Sequence, residues 1–172
     1  VKIDIDKENK TITVTDNGIG MSRDDVIANI GTIAKSGTKE FFSKLTGNAK
    51  EDAHLIGQFG VGFYSAFIVA DKIMIETRKA GHAHSDGIRW ESDGSGEYTI
   101  ENIEKAERGT KIILHLKEDE TEFLERYRLE TIIHKYSDHL PIKIMMRKVE
   151  TDDEGNEKVT DDYEQVNRAT AL

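Results

Sequence analysis

Hydrophobic and polar residues alternate at the start of the chain, with Val1, Ile3 and Ile5 set against Lys2, Asp4 and Asp6. The same period of two returns at Thr11 to Thr15, where Ile12 and Val14 share one side. Two such runs around Lys7-Glu8-Asn9-Lys10 predict an antiparallel hairpin. The pattern then changes. Ser22 and Asp25 have the spacing of a capping box, and Val26, Ile27, Ile30, Ile33 and Ala34 follow at helical intervals, which predicts a helix of about three turns. A stretch from Gly31 to Ile56 carries Gly37, Gly47 and a short amphipathic piece with Phe41, Phe42 and Leu45. Beyond it, Phe63 to Val69 is a helix-compatible apolar run.

Alternation resumes in Lys72 to Arg78, Ile88 to Ser92, Glu97 to Glu101 and Thr110 to Leu116, separated by glycine-bearing or charged turns, and predicts successive antiparallel strands. Trp90, Tyr98 and Ile100 are expected to face a core, because a large aromatic ring in an alternating strand is a packing element first. Thr121 to Ser137 places Phe123, Leu124, Tyr127, Ile132, Ile133 and Tyr136 at mostly helical intervals, with Pro141 as a stop. Ile142, Ile144 and Met146 alternate into a last strand, and Thr151 to Lys158 reads as a solvated hairpin tip. Mixed strands and helices of this kind give an α+β domain.

Composition narrows the partners. A length of 172 residues supports one domain with a real core. The net charge of −9, with 33% charged residues of both signs spread along the chain, argues against a nucleic-acid surface and against an anionic membrane. The absence of cysteine excludes disulfides and thiolate metal sites and suits a reducing cytoplasm. No apolar run approaches the roughly eighteen residues of a spanning helix.

Two loops carry candidate chemistry. In Asp16-Asn17-Gly18-Ile19-Gly20 a carboxylate closes a half-buried strand, where it can accept a hydrogen bond from an exocyclic amine, and the glycines allow positive φ and close approach of a flat ring. In Gly57-Gln58-Phe59-Gly60-Val61-Gly62 three glycines lead into the apolar run, so unpaired amides at a helix start would favour phosphates. Either loop alone also reads as an ordinary turn or a close-packing device. Together they describe a pocket for an adenine nucleotide. The order is neither Gly-x-Gly-x-x-Gly nor a Walker-type run, so neither common phosphate loop applies.

The segments Asp16 to Met21, Ile30 to Lys39 and Ile56 to Phe67, continued by Trp90-Glu91-Ser92, Arg108 to Leu116 and Ile133 to His139, are spread along most of the chain. In them the chain resembles the amino-terminal ATP-binding domain of the ninety-kilodalton heat-shock chaperones, nearest to the bacterial branch. The resemblance implies a Bergerat-type ATP-binding fold: a two-layer sandwich of a mostly antiparallel or mixed sheet covered on one face by helices, with nucleotide held between helices and a lid. It implies that Asp16 binds the adenine amino group with help from water and Thr110, that Gly20 and Met21 line the base pocket, and that Asn29 and Lys35 lie near ribose and phosphates. Gly57, Gln58, Phe59, Gly60, Val61, Gly62 and Phe63 would cradle the phosphate chain.

By the same resemblance the nucleotide-binding unit spans residues 1–160 with a lid over roughly 22–56, and residues 161–172 lead toward a middle domain. ATP or ADP is the expected ligand, with Mg2+ in the complete parent domain, client proteins and a second copy of the chain as partners, and the cytoplasm as location. The family's catalytic glutamate, and the asparagine that helps hold the ion, are expected on a helix upstream of Val1, so the segment itself holds no catalytic or metal residue. A positioned general base contributes about a hundredfold to ten-thousandfold in rate, and turnover by this segment alone is expected to be very weak. A nucleotide-binding module without turnover, or the catalytic domain of a related sensor kinase or topoisomerase, are the alternatives.

Other constellations carry less. His82 and His84 lack a third ligand nearby in sequence. His115, His134 and His139 lie in or beside regular elements and are expected to be packed or hydrogen-bonded, Ser36 and Ser65 have no neighbouring base, and the pairs Asp24-Asp25, Asp152-Asp153 and Asp161-Asp162 are expected on solvated surfaces.

Overall fold

The structure is a computed structural model that describes residues 1–31 and 61–168. Among the described residues eight strands, numbered in chain order, form one sheet in the order β5-β4-β3-β6-β2-β1-β7-β8. They are β1 (Lys2–Asp6), β2 (Thr11–Thr15), β3 (Ala70–Arg78), β4 (Gly87–Ser92), β5 (Thr99–Ile103), β6 (Gly109–Leu116), β7 (Met145–Thr151) and β8 (Glu157–Gln165). All neighbours are antiparallel except β1 and β7, which run parallel through Lys2↔Met145 and Ile3↔Met146. The sheet is therefore mixed, with helices beside it, as expected for the α/β sandwich.

The β1–β2 hairpin pairs Ile3 with Val14 and Ile5 with Ile12, so the alternation read in the sequence puts all four on one face. Its turn is held by Asp6, whose carboxylate accepts from the Asn9 amide at 2.9 Å and the Asn9 side chain at 2.7 Å. These bonds lower the Asp6 pKa.

Opposite Ile12 and Val14 on β6 stand Leu114 and Ile112, and opposite those on β3 stand Ile73 and Ile75. This face carries the core. Ile73, Ile75, Ile88 and Trp90 are buried with Val26, Ile30 and Ala70, and Met21, Phe63 and Tyr98 pack against them. Trp90 lies between Phe63 (centroids 5.6 Å apart, edge-on) and Tyr98 (5.9 Å, stacked), so the packing role expected of the tryptophan holds. A second apolar group, Ile12, Leu116 and Leu124, and a third, Ile133, Ile144 and Met146, continue the core toward β7.

The helical cover departs from the expectations in three places. After Ser22 the chain makes one α-helical turn, α1 (Arg23–Val26), and continues as a π-helix over Ile27–Gly31. The apolar run before β3 is α2 (Val61–Tyr64) followed by a 3-10 helix, Ser65–Ile68, rather than one α-helix. The chain has to re-enter the sheet at Ala70, and the tighter helix brings Val69 round to donate to the Ala66 carbonyl at 3.1 Å. The expected helix from Thr121 to Ser137 is broken: a 3-10 segment, Glu118–Leu124, precedes α3 (Arg126–Ser137), and Glu125 between them is extended. The break lets Leu124 bury against Ile12 and Leu116 while Leu129 and Ile133 face the sheet. Tyr127 and Tyr136, at 81% and 61% exposure, then lie outside the buried stripe that helical spacing assigned them.

At the far edge β7 and β8 form the expected hairpin, with Asp152 capping its tip through the Glu154 and Asn156 amides at 2.9 and 2.8 Å. Strand β8 continues across position 160, the expected end of the nucleotide-binding unit, and joins β7 through Gln165.

Candidate functional site

The site builds from the end of β2. Asp16 lies in phase with Ile12 and Val14, so its side chain emerges on the covered face, and its backbone still pairs with β6, donating to the Thr110 carbonyl at 2.9 Å. Its Oδ1 accepts from the Gly18 amide at 2.8 Å and the Thr110 amide at 3.3 Å. Among the described residues nothing donates to Oδ2. One carboxylate oxygen is thus fixed by the backbone while the other is left to accept a donor from outside.

The backbone around this carboxylate admits only glycine at two points. Gly109 has φ +107°, and a Cβ there would stand 2.3 Å from the Asp16 carbonyl oxygen. Gly20 has φ +69°, and a Cβ there would stand 2.0 Å from the Arg78 carbonyl oxygen. The glycine loop is consequently pressed against the end of β3, and the Ala80 amide donates to the Ile19 carbonyl at 2.7 Å.

Beneath the loop lies a residue that the sequence reading passed over. Thr77 continues the buried phase of Ile73 and Ile75 and is itself 0% exposed. Its hydroxyl accepts from the Met21 amide at 2.9 Å, donates to the Gly109 carbonyl at 3.1 Å, and stands 3.0 Å from the Thr110 hydroxyl. One side chain therefore joins the loop after β2 to the start of β6. The available signal was a threonine in the apolar phase of a strand, since a hydroxyl is buried there only with partners.

A second anchor is ionic. The Ser22 hydroxyl accepts from the Asp25 amide at 3.3 Å and the Asp25 carboxylate accepts from the Ser22 amide at 2.9 Å, so the expected capping box forms. The same carboxylate accepts from Lys79 at 2.8 Å, tying α1 to the β3–β4 turn. The Lys79 hydrogen bond, then the Ser22 cap, lower the Asp25 pKa to about 2. Asp25 is accordingly a structural anchor and not the solvated surface carboxylate expected from its pairing with Asp24.

The structure brings Asp16, Gly20, Met21 and Thr110 into one corner. Phe63 packs on the same apolar group as Met21. Val61 and Gly62 stand in α2, and Asn29 is exposed on the π-helical turn. Lys35, Gly57, Gln58, Phe59 and Gly60, and most of the lid expected over 22–56, lie outside the described residues.

A hollow of about 1170 Å³ lies over the opposite face of the sheet, lined by Asp4, Thr13, Glu76, Lys111 and Arg147, and its end reaches Asp16 and Asn17. Its size does not make it the site. It is a broad trough crossed by the Arg147–Asp4 ion pair at 2.9 Å, whereas Thr77 and Thr110 lie on the covered face. Of the histidines, His134 shares a 3.0 Å contact with Asp138, and burial lowers the His115 pKa. Among the described residues no group of three or more His, Asp or Glu side chains is arranged to hold a metal ion, and no helix is long and apolar enough to cross a membrane.

Comparison with known proteins is consistent with this arrangement. The chain is 60% identical to the chaperone protein HtpG of Nitrosospira multiformis, 58% to that of Nitrosomonas eutropha and 61% to that of Chromobacterium violaceum, in each case over 100% of its own length. It spans 27% of the length of each of these relatives. Residues 1–122 match the model of the histidine kinase-, DNA gyrase B- and HSP90-like ATPases, and the chain belongs to that family.

Proposed function

We propose that this segment binds ATP or ADP, with the purine at the Asp16 corner, as the nucleotide-binding part of an ATP-dependent chaperone. The observation that carries the reading is the half-engaged carboxylate: Oδ1 holds the Gly18 and Thr110 amides at 2.8 and 3.3 Å, and Oδ2 is left as an acceptor. An exocyclic purine amine supplies the donor that such an oxygen lacks. Gly20 and Met21 would flank the base. Asn29, Lys35 and the run from Gly57 through Phe59, Gly60, Val61 and Gly62 to Phe63 would contact ribose and phosphates. The amides of a glycine-bearing loop suit that anion in a chain whose net charge of −9 repels it.

In the parent protein, closure of a lid over the nucleotide would be coupled to pairing of two chains and to remodelling of client proteins in the cytoplasm. The high identity to chaperones named HtpG supports this branch over the kinase and gyrase branches of the family. Mg2+ would accompany ATP in the complete domain. Asp16 is committed to backbone amides and to the ligand amine, so the chemistry assigned to this corner is recognition, not bond cleavage.

Calorimetric titration of ADP into wild type and Asp16→Asn tests the reading. Asparagine keeps its oxygen toward the Gly18 and Thr110 amides, which turns its NH2 toward the purine NH2, donor against donor. A mismatch of that kind costs about 1–3 kcal/mol, so affinity should fall by about tenfold or more. Unchanged affinity would show that the base binds elsewhere. A phosphate-release assay run beside the titration separates binding from turnover, and this segment is expected to bind without appreciable release.

A further inference from the structure

The Thr77 hydroxyl has one proton and three polar neighbours, and counting hydrogens decides which group donates to which. The Met21 amide can only donate, so at 2.9 Å it occupies a lone pair of Thr77. The Gly109 carbonyl can only accept, so at 3.1 Å it takes the single Thr77 proton. The remaining contact, 3.0 Å to the Thr110 hydroxyl, then has one consistent polarity: Thr110 donates and Thr77 accepts on its second lone pair. Thr77 is fully buried, and Thr110, at 9% exposure, keeps a sliver of surface. With its proton directed down into the sheet, Thr110 offers only lone pairs to whatever lies above it.

We propose that Thr77 is a positioning residue for base selection: by accepting the Thr110 proton it turns Thr110 into a pure acceptor, so the corner presents two acceptors, Asp16 Oδ2 and Thr110 Oγ1, and, among the described residues, no side-chain hydroxyl donor. The proposal rests on the adenine reading of the corner and goes beyond it, because Thr77 is fully buried beneath Thr110 and acts through it. A 6-amino purine meets such a corner directly through its amine, and a water that donates to both Thr110 and the ring nitrogen N1 completes the edge. A 6-oxo purine brings a third acceptor to the same place. Without Thr77 the Thr110 hydroxyl can rotate and donate toward a 6-oxo group, directly or through water, and the penalty on that group relaxes.

The test compares ADP with inosine diphosphate by titration in wild type, Thr77→Ser, Thr77→Val, Thr110→Val and the Thr77→Val/Thr110→Val double variant. Wild type should favour ADP by about a hundredfold or more, as expected of a site built on directed hydrogen bonds. Thr77→Ser keeps the hydroxyl and should keep that ratio. Thr77→Val is close to isosteric and should reduce the ratio by about tenfold. In the Thr110→Val background the same change should leave the ratio where Thr110→Val put it, since no hydroxyl remains to be turned.

A Thr77→Val protein that loses affinity for both nucleotides equally, or that shifts the ratio equally with and without the Thr110 hydroxyl, overturns the proposal and leaves Thr77 a structural residue. Wild type that binds neither nucleotide overturns the adenine reading as well. Should Thr77→Val fail to fold, neutron diffraction from deuterated wild-type crystals decides the matter: deuterium on Thr110 Oγ1 directed at Thr77 supports the proposal, and deuterium directed away from Thr77 refutes it.

Discussion

Strand β3 offers two faces for comparison. On the covered face Ile73, Ile75 and Thr77 are exposed by 0%, 1% and 0%, while on the open face Lys72, Met74 and Glu76 remain partly solvated. Polar groups occur on both sides, but they serve differently. On the open face Arg89 joins Glu76 at 2.8 Å and Glu101 at 2.9 Å, and Arg147 joins Asp4 and Asp161, each at 2.9 Å, in pairs that water can replace. On the covered face the Thr77 hydroxyl has no access to water, so its three contacts have fixed directions. Water-replaceable pairs supply solubility and a little stability, whereas buried hydroxyls in fixed directions can define a recognition surface.

The largest expected effect breaks the comparison at neighbouring residues. Ile75→Ala should destabilise the fold by about 3 kcal/mol through lost burial and the void left in the core, while Glu76→Gln, one residue further on, should cost less than about 1 kcal/mol. Urea denaturation of the two variants measures the contrast, and equal effects would show that the open face is not freely solvated.

A smaller effect on stability, with a larger one on function, is expected at the glycine that carries the corner. Gly109→Ala would place a methyl group against the Asp16 carbonyl in a backbone conformation that alanine rarely adopts, costing about 2 kcal/mol or more. Because the displaced atoms belong to Asp16 and Asn17, ADP binding should fall in any fraction that folds. Titration at a temperature where the variant remains native checks it.

The smallest effect concerns the ionic anchor. Asp25 has a folded pKa of about 2 against an ordinary 3.8, chiefly through Lys79, so its contribution is present above roughly pH 4 and is lost as pH falls toward 2. With about a third of each side chain exposed, screening reduces that contribution to about 1 kcal/mol. Denaturation midpoints measured from pH 5 to pH 2 should fall less steeply in Lys79→Met than in wild type, and identical slopes would remove the ion pair from the account.

Much of this architecture is legible in the amino-acid sequence. Period-two alternation located the β1–β2 hairpin and the cores of β3, β4 and β6, because one buried face forces that pattern; Asp16 stood out at the head of its glycine loop, whereas Gly20 and Thr110 were singled out by the family resemblance. What could not be read depends on contacts distant in sequence. The parallel pairing of β1 with β7 joins Lys2 to Met145, and no local pattern encodes it. The break at Glu125 answers to the sites that Leu124 and Ile133 fill on different parts of the sheet. Asp25 reads as one of two adjacent acids until Lys79 is brought beside it. Thr77 is the instructive case: its phase within β3 was visible, but its importance comes from meeting Met21, Gly109 and Thr110, which are far from it in the chain and close in the fold.

The central claim is that Asp16 uses one carboxylate oxygen to hold the backbone and the other to hold a purine amine. Diffraction from crystals grown with ADP tests it most directly. The account requires the base amine within hydrogen-bonding distance of Asp16 Oδ2, with Oδ1 still bound to the Gly18 and Thr110 amides. A purine seated away from Asp16, or one whose ring nitrogens rather than its amine meet the carboxylate, would contradict it.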